Sequence, residues 1–260
     1  MLFRSISFEI PSAAQIPERL EAVLNAIYAA YGNSWEDATG KRIAELGREA
    51  IWLARVLREQ LPDSAEVRGL LALMLHCEAR RPARRSEDGR YVPLSEQDPR
   101  NWHMPMIEEA ERELVAASQM RRLGRFQIEA AIQSAHAERA YTGHTDWTAI
   151  VAFYDQLVRL APSVGAMVAR AAAHAEVHGP QAGVTLLDQI ESRAISYQPY
   201  WAVRAHLLQQ LGRAEAAAEA FDRAIGLSED AAVRDFLSER SKRLRSEEHT
   251  SELQSQNRIS

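Results

Sequence analysis

The 260-residue chain has one cysteine, Cys77, and this scarcity excludes a class of fold. A disulfide within the chain needs two cysteines, so small secreted folds built on disulfides are excluded. Long apolar runs are also missing, since the longest are six residues, as at 70–75, and a membrane-spanning helix needs about 20 residues. The first residues have no signal-peptide pattern. We therefore expect a cytoplasmic protein without membrane contacts.

An excess of positive charge is missing as well. The chain has 31 Lys and Arg residues against 36 Asp and Glu residues, and its net charge is −5. Proteins that bind nucleic acid on their own are usually basic, because their cations replace the counterions of the phosphates. The charge balance therefore argues against DNA binding by this chain alone. The apolar fraction of 46% is that of an ordinary globular protein with a buried core.

Both ends of the sequence resemble translated sequencing adapter. Residues 245–255 read like one strand of a common short-read adapter, with an index and more adapter in residues 256–260. Residues 1–5 read like the reverse strand. We therefore expect residues 1–5 and 245–260 to be non-native and disordered. We also expect the natural protein to extend on the N-terminal side of Ile6. A natural polar tail is the less favoured alternative.

Apolar residues recur at three- and four-residue spacing along most of the chain, which predicts an all-α fold of antiparallel helix pairs. The first helix should end at Gly32-Asn33-Ser34, because glycine and asparagine tolerate the left-handed turn of a helix stop. Asp63 and Glu66 resemble a capping box at the start of the third helix. The second helix should run near residues 42–60 and bury one stripe of side chains: Ile43, Leu46, Ala50, Leu53, Val56 and Leu57.

A Pro- and Arg-rich stretch at residues 80–102 interrupts the helical pattern. It contains three prolines and the tight-turn dipeptide Asp88-Gly89, so residues 85–94 should form a short hairpin or a loop insertion. We place this loop inside a first helical domain of residues 6–122.

An internal repeat begins near Phe126. Three helix–turn–helix units align at Thr145, Gly179 and Gly212, with spacings of 34 and 33 residues that match the tetratricopeptide period. We therefore predict three tetratricopeptide-like repeats in residues 123–244. Trp201 and Phe221 occupy large packing positions and should be buried between their helices. Such a stack offers a binding surface rather than a catalytic pocket.

Motifs of catalysis and cofactor binding are missing from the sequence, which contains no G-x-G-x-x-G, P-loop or G-x-S-x-G pattern. His174 and His178 have the spacing of two metal ligands on one helix, but a third ligand is not evident. We therefore predict no catalytic residue, no cofactor and no metal site, and we do not expect an enzyme. A cluster of titratable residues in one deep cleft would favour an enzyme instead.

A cluster of arginines in the loop is the sharpest charge feature of the sequence. It can bind phosphates or an acidic protein surface, or it can pair internally with Glu87, Glu96 and Asp98. We favour internal pairing, because acidic residues are interleaved through the same loop. Three tryptophans, Trp102, Trp147 and Trp201, are either interface anchors or core residues. The arginines of the cluster are Arg80, Arg81, Arg84, Arg85 and Arg90.

An ordered series of motifs resembles one known family. The motifs are residues 69–75, 78–84, 88–89, 92–94, 96–98, 126–136, 145–147, 178–180, 197–200 and 204–205. Together they resemble the C-terminal extension of one group of extracytoplasmic-function (ECF) bacterial RNA polymerase sigma factors. That group has a tetratricopeptide-like helical region after its DNA-binding domains.

The resemblance implies a regulatory region of a protein that directs RNA polymerase to promoters. Its partners would be core RNA polymerase and two N-terminal sigma domains that this chain lacks, with promoter DNA bound only by the intact protein. A freestanding tetratricopeptide-like scaffold for protein interactions is the alternative. The candidate interface or family-motif residues are Arg80, Arg81, Arg84, Asp98, Trp102, Trp147 and Trp201.

Overall fold

The computed structural model describes residues 15–36 and 41–259, and for residues 17, 34–36, 41–44 and 247–259 it describes the backbone alone. The fold is all-α, as predicted. No strand occurs in the described ranges, and the only β feature there is an isolated antiparallel bridge between Arg85 and Tyr91. Residues 1–14, which include the predicted non-native residues 1–5, lie outside the description.

Thirteen α-helices are described, most of them long enough to form antiparallel pairs. Three short 3₁₀ helices, Arg81–Arg84, Leu94–Glu96 and Pro99–Asn101, lie between α3 and α4. The helices are α1 (Ile16–Glu36), α2 (Lys41–Gln60), α3 (Ala65–Ala79), α4 (Met104–Gln119), α5 (Arg125–Ala137), α6 (Arg139–Thr142), α7 (Trp147–Leu160), α8 (Val164–His178), α9 (Pro180–Asp188), α10 (Glu191–Ala194), α11 (Gln198–Gln210), α12 (Ala214–Gly226) and α13 (Ala231–Ile259).

The chain divides into two compact units between Pro62 and Asp63. The sequence-based boundary after residue 122 falls inside the second unit, because α3 packs against both α4 and α5 on either side of it. The proline-rich loop therefore lies within a single compact unit and does not precede a domain boundary.

The first unit contains the pair of α1 and α2. The α1 residues Leu24, Ile27 and Tyr31 are buried. On α2 the small residues Ala50 and Ala54 are buried, together with Ile51. The predicted stripe on α2 is therefore partly wrong, since Leu53 is 43% exposed. The predicted helix stop at residues 32–34 is also wrong, because α1 continues through them to Glu36.

The second unit is built on α3, whose side chains are buried on nearly every face. The predicted capping box is wrong: Ser64 caps α3, and the Glu66 carboxylate instead accepts hydrogen bonds from the Phe126 and Gln127 amides at 3.1 and 3.2 Å. The backbones of α3 and α5 approach so closely that a Cβ at Gly69 would lie 2.6 Å from the Gln127 nitrogen. These contacts fix α5 directly on the central helix.

The later helices form successive pairs that turn at the three positions expected from the repeat. Thr145 lies between α6 and α7, Gly179 between α8 and α9, and Gly212 between α11 and α12. Gly179 and Gly212 have positive φ angles of 86° and 70°, which glycine adopts without strain. One buried cluster contains Trp201 and Phe221, with buried alanines that let the helices approach: Ala171, Ala205, Ala217 and Ala224.

The C-terminal helix α13 continues through the segment that the sequence predicts to be disordered. Its backbone is helical to Ile259. Residues 227–260 contain neither glycine nor proline, so nothing in the sequence breaks the helix. The Arg245 guanidinium also donates to the Asp222 carboxylate at 3.0 Å, which links the start of this segment to α12.

Among the described residues, no helix combines the length and the apolar character needed to cross a membrane.

Candidate protein-interaction site

The Pro- and Arg-rich loop, defined here as residues 80–103, is an ordered connection between α3 and α4. Its ends meet where the His103 amide donates to the Ala79 carbonyl at 2.9 Å. At its tip the Gly89 amide donates to the Ser86 carbonyl at 2.9 Å, with a positive φ of 82° at Gly89. Of the predicted hairpin, this turn and the isolated bridge are present. The structure therefore contains the other predicted form, a loop insertion.

Arg139 on α6 organises the second half of this loop. Its guanidinium donates to the carbonyls of Leu94 and Ser95, both at 3.0 Å, and of Gln97 at 2.5 Å. The guanidinium also lies 5.2 Å from the centre of the Trp102 ring, at cation–π distance. Burial lowers the pKa of Arg139, and the nearby charge of Arg80 lowers it further. The sequence does not predict this role, because the bonded carbonyls are 42–45 residues away.

Two predicted candidates, Trp102 and Asp98, shape the same half of the loop. Trp102 is buried, and its indole N–H donates to Gln97 Oε1 at 3.3 Å. Asp98 accepts from the Arg100 amide at 2.9 Å and caps the third 3₁₀ helix. Hydrogen bonds from Arg100 lower the pKa of Asp98. Both candidates therefore stabilise the loop conformation.

Most arginines of the cluster pair with acids, but not with the acids that the sequence suggests. In place of Glu87, Glu96 and Asp98, the partners come from α3, from the turn and from the start of α13, and only the last of these is distant in sequence. The pairs are Arg81–Glu78 at 2.8 Å, Arg90–Asp88 at 2.7 Å, and Arg85–Asp230. Arg84 is half-buried, and burial lowers its pKa.

Arg80 is the exception in the cluster. It is 6% exposed, and its Nη2 donates to Gln133 Oε1 on α5. Its Nη1 is buried and has no hydrogen-bond partner within the described part of the chain. No carboxylate of the described residues lies within ion-pairing distance of it. The fold thus buries a guanidinium without an internal counterion.

Two histidines near Arg80 remain neutral at pH 7. Burial, followed by the charge of Arg80, lowers the pKa of His76 to about 3. Burial, Arg80 and Arg139 lower the pKa of His136 to about 3. The His76 Nε2 atom lies 3.3 Å from a Glu111 carboxylate oxygen, outside hydrogen-bonding geometry. Positive charge therefore dominates this part of the interior, and the histidines do not add to it.

The other two candidate tryptophans serve the packing of the helix pairs. Trp147 is half-buried and meets the His136 ring edge-on, with 5.4 Å between ring centres. Trp201 is 6% exposed, and its indole N–H donates to the Ile195 carbonyl at 2.9 Å. The Arg223 guanidinium lies 4.6 Å from the Trp201 ring centre. Neither ring stands free on the surface.

The first half of the loop contacts α13. Tyr91 meets Phe236 edge-on at 5.4 Å, and the Arg240 guanidinium lies 5.1 Å from the Phe236 ring centre. A cavity of about 400 Å³ lies beside these rings. Ligand pockets are mostly apolar with a few polar groups, whereas charged side chains of both signs line much of this cavity: Asp88, Arg90, Glu96, Asp235, Glu239, Arg240 and Arg243.

The histidine pair of α8 belongs to a hydrogen-bonded network. Asp155 accepts from Arg170 Nε at 2.6 Å and lies 3.1 Å from His174 Nε2. The His174 and His178 ring centres are 5.4 Å apart. In the described ranges no three His, Cys, Asp or Glu residues form a group that could hold a metal ion.

An exposed apolar face on α2 is the feature that the sequence analysis missed. Trp52 is 60% exposed, and the adjacent Leu53 is 43% exposed. Burial of large apolar side chains by a partner contributes favourable binding free energy in proportion to the apolar area covered. Trp52 is a large apolar residue that lies one position outside the predicted buried stripe of α2. Its place outside the stripe is the sequence feature that indicates an exposed side chain.

Comparisons with known proteins find a similar family and a similar relative, and neither has a described activity. Residues 19–118 match a family of unknown function, DUF6596. The chain is 38% identical over 234 residues to an uncharacterized protein, R00370, of Rhizobium meliloti (strain 1021). The match covers 89% of this chain and 55% of that protein, so the chain spans about half the length of the curated relative it matches. No solved structure matches the chain.

Proposed function

We propose that this chain is the regulatory helical region of an ECF-type sigma factor. In this proposal the region has no enzymatic activity and acts in the cytoplasm. It binds the sigma domains that recognise promoters, or core RNA polymerase, and those domains make the DNA contacts. The ordered series of motifs in the sequence supports the proposal, and so does a relative that is nearly twice as long as the matched segment.

The motifs of the resemblance coincide with structural positions in the fold. Gln97 bonds Trp102 inside the loop, Asp146 caps α7, and Gly179 forms the turn between α8 and α9. Each of these residues has a local structural role, so the occurrence of the motifs in a single order favours a shared fold. A shared fold in turn supports the proposed role as a binding region.

The observation that carries the docking proposal is the exposed face of Trp52 and Leu53. Tryptophan is enriched among the residues that dominate binding energy at protein interfaces. Trp52 is 60% exposed and lies within the segment that matches the family. Charged neighbours Glu45, Arg48 and Glu49 line the same shallow surface, in the arrangement of an apolar anchor with a polar rim.

A pull-down at about 0.15 M salt tests this proposal, because long-range charge effects are screened beyond about 8 Å at that ionic strength. The full chain is immobilised and offered bacterial core RNA polymerase or the part of the R. meliloti relative outside the match. We expect one of them to be retained, and Trp52→Ala to weaken retention about tenfold or more. Tyr141→Ala, at a 62% exposed aromatic side chain in the other unit, is the matched control.

A gel shift with promoter DNA completes the test. We expect no shift by the chain alone, because its net charge of −5 offers little counterion release. Tight promoter binding by the chain alone would contradict the proposal. If neither protein partner is retained, the alternative is favoured: a freestanding scaffold that binds other proteins through its helix pairs.

A further inference from the structure

The cavity between the tip of the loop and α13 encloses about 400 Å³, and small-ligand sites span about 300–1,000 Å³. Both of its walls belong to the second compact unit. One wall is residues 86, 88–92 and 96, and the other is residues 232, 235, 236, 239, 240 and 243 of α13. The Ser86 amide donates to the Arg90 carbonyl at 3.0 Å, and Tyr91 meets Phe236 edge-on across the two walls. The cavity therefore has room for a ligand between walls that these contacts hold in place.

Each arginine of the cavity lining has an acidic partner that also belongs to the lining. The pairs are Arg90–Asp88 at 2.7 Å, Arg240–Glu96 at 4.0 Å and Arg243–Glu239 at 3.9 Å. The Arg240 guanidinium also lies 5.1 Å from the Phe236 ring centre, and its Nη1 lies 3.3 Å from His206 Nδ1. An anion that entered the cavity would therefore compete with a carboxylate for each guanidinium.

Asp235 is the fourth carboxylate of the lining. Its side chain is exposed, and within the described part of the chain its carboxylate does not pair with any cation. The lining thus has four carboxylates against three guanidinium groups, which is an excess of one negative charge. A cation can therefore pair with Asp235 without breaking an existing ion pair.

The wall around Asp235 also offers apolar surface. Ala232, Asp235 and Phe236 are three and four residues apart on α13 and share one face of the helix. Tyr91 and Val92 add apolar surface from the loop. A ligand with an apolar stem and a cationic head can place the stem along the rings and the head at the carboxylate, as lysine and arginine side chains do on protein surfaces.

We propose that this cavity is the binding site for one alkylammonium or alkylguanidinium group, with Asp235 as its counterion. The charged lining does not suit an apolar ligand, and its single unpaired carboxylate suits a cation of charge +1. The group belongs either to a small amine or to a lysine or arginine side chain of a bound peptide. This inference does not depend on the proposed link to RNA polymerase.

NMR titration of the full chain tests the site directly, with the backbone amide signal of Gly89 as the readout. Gly89 lines the cavity, and Gly212, which also has a positive φ angle, lies in the turn between α11 and α12 and serves as the control signal. The small probes are n-butylammonium and n-butylguanidinium, with sodium acetate as the anion, each against sodium chloride at equal ionic strength. We expect the two cations to shift the Gly89 signal in a saturable way and to leave Gly212 unchanged.

Blocked peptides identify the source of the cation. They contain one lysine, one arginine or, as the neutral control, one glutamine at the same position. Saturation by a lysine or arginine peptide at a lower concentration than by the matching small cation identifies a peptide side chain. Tighter binding of the small cation identifies a small amine.

Two matched variants assign the binding to Asp235. Asp235→Asn should weaken cation binding about 3- to 10-fold, between the effect of an exposed ion pair and that of a hydrogen bond to a charged group. Asp63→Asn makes the same change in net charge at an exposed residue of the turn before α3 and should leave the binding unchanged. Both variants should melt at the wild-type temperature, because both side chains are exposed.

The proposal is overturned if no cation shifts the Gly89 signal of the wild-type chain, or if acetate saturates that signal and the cations do not. It is equally overturned if Asp235→Asn binds the cations as tightly as the wild type does. Equal weakening by Asp63→Asn would also contradict it, because the effect would then come from net charge and not from the cavity.

Discussion

The loop of residues 80–103 and the stack from α8 to α12 are held by different forces. In the stack, buried apolar side chains such as Trp201, Phe221 and Ala205 form one continuous cluster. In the loop, the buried apolar side chains are Ala83 and Trp102, and hydrogen bonds from the Arg139 guanidinium to three carbonyls supply much of the rest. The stability of the stack therefore depends on the volume and apolar area of its buried side chains. The stability of the loop depends on hydrogen bonds to particular atoms.

The largest expected effect is on the stack. Trp201→Ala removes a large buried side chain and should lower the free energy of unfolding by about 3–5 kcal/mol. Thermal and denaturant unfolding measure this change. Trp52→Ala is the matched control, because the same substitution at a 60% exposed position should cost little. A melting shift near zero for Trp201→Ala would contradict the packing of α11 against α12.

The loop should respond strongly to the loss of one arginine. Arg139→Met leaves three carbonyls without their donor and should cost about 2–4 kcal/mol, since a hydrogen bond to a charged group contributes roughly 1.5–3 kcal/mol. Amide hydrogen exchange should rise in residues 94–102 and stay constant in α11. Arg90→Met, at an exposed position of the same loop, should change stability by no more than about 0.5 kcal/mol. Equal effects of the two variants would refute the role of Arg139.

Acid should weaken the region between the loop and α5. The folded chain holds the pKa of His76 and His136 at about 3, whereas an unfolded histidine titrates near 6.5. Protons therefore favour the unfolded chain as the pH falls from about 6.5 towards 3. We expect each histidine to cost about 1–2 kcal/mol of stability at pH 5.

Histidine variants isolate this effect from general acid denaturation. His136→Gln and His76→Gln should each flatten the dependence of the melting temperature on pH between 7 and 5. His144→Gln, at an exposed ring, should leave the slope unchanged. A wild-type slope in both interior variants would mean that burial and the charges of Arg80 and Arg139 do not lower the pKa of these rings as described.

The sequence predicts the helical class and the turns at Gly179 and Gly212, because apolar periodicity and glycine report directly on local structure. It misplaces the stripe on α2, because the pattern weights large residues, whereas Ala50 and Ala54 allow the close approach to α1. Gly32 does not end α1, since a glycine within a helix costs only about 1 kcal/mol.

The features of the candidate site are harder to predict because they depend on the tertiary structure. The sequence singles out the arginines of the loop but cannot tell paired from unpaired members. Arg85 meets Asp230, 145 residues away, while Arg80 meets no acid in the described ranges. Arg139 has no motif at all, since its partners are backbone carbonyls that any residue supplies.

The contact of Arg85 with Asp230 also sets an order of events during synthesis. The two residues are 145 positions apart, and ribosomes add about 5–20 residues per second. The start of α13 is therefore synthesised about 7–30 s after Arg85, whereas Arg139 is synthesised within about 10 s of the loop residues that it binds. Each nascent chain thus closes the loop in two stages, first on α6 and last on α13.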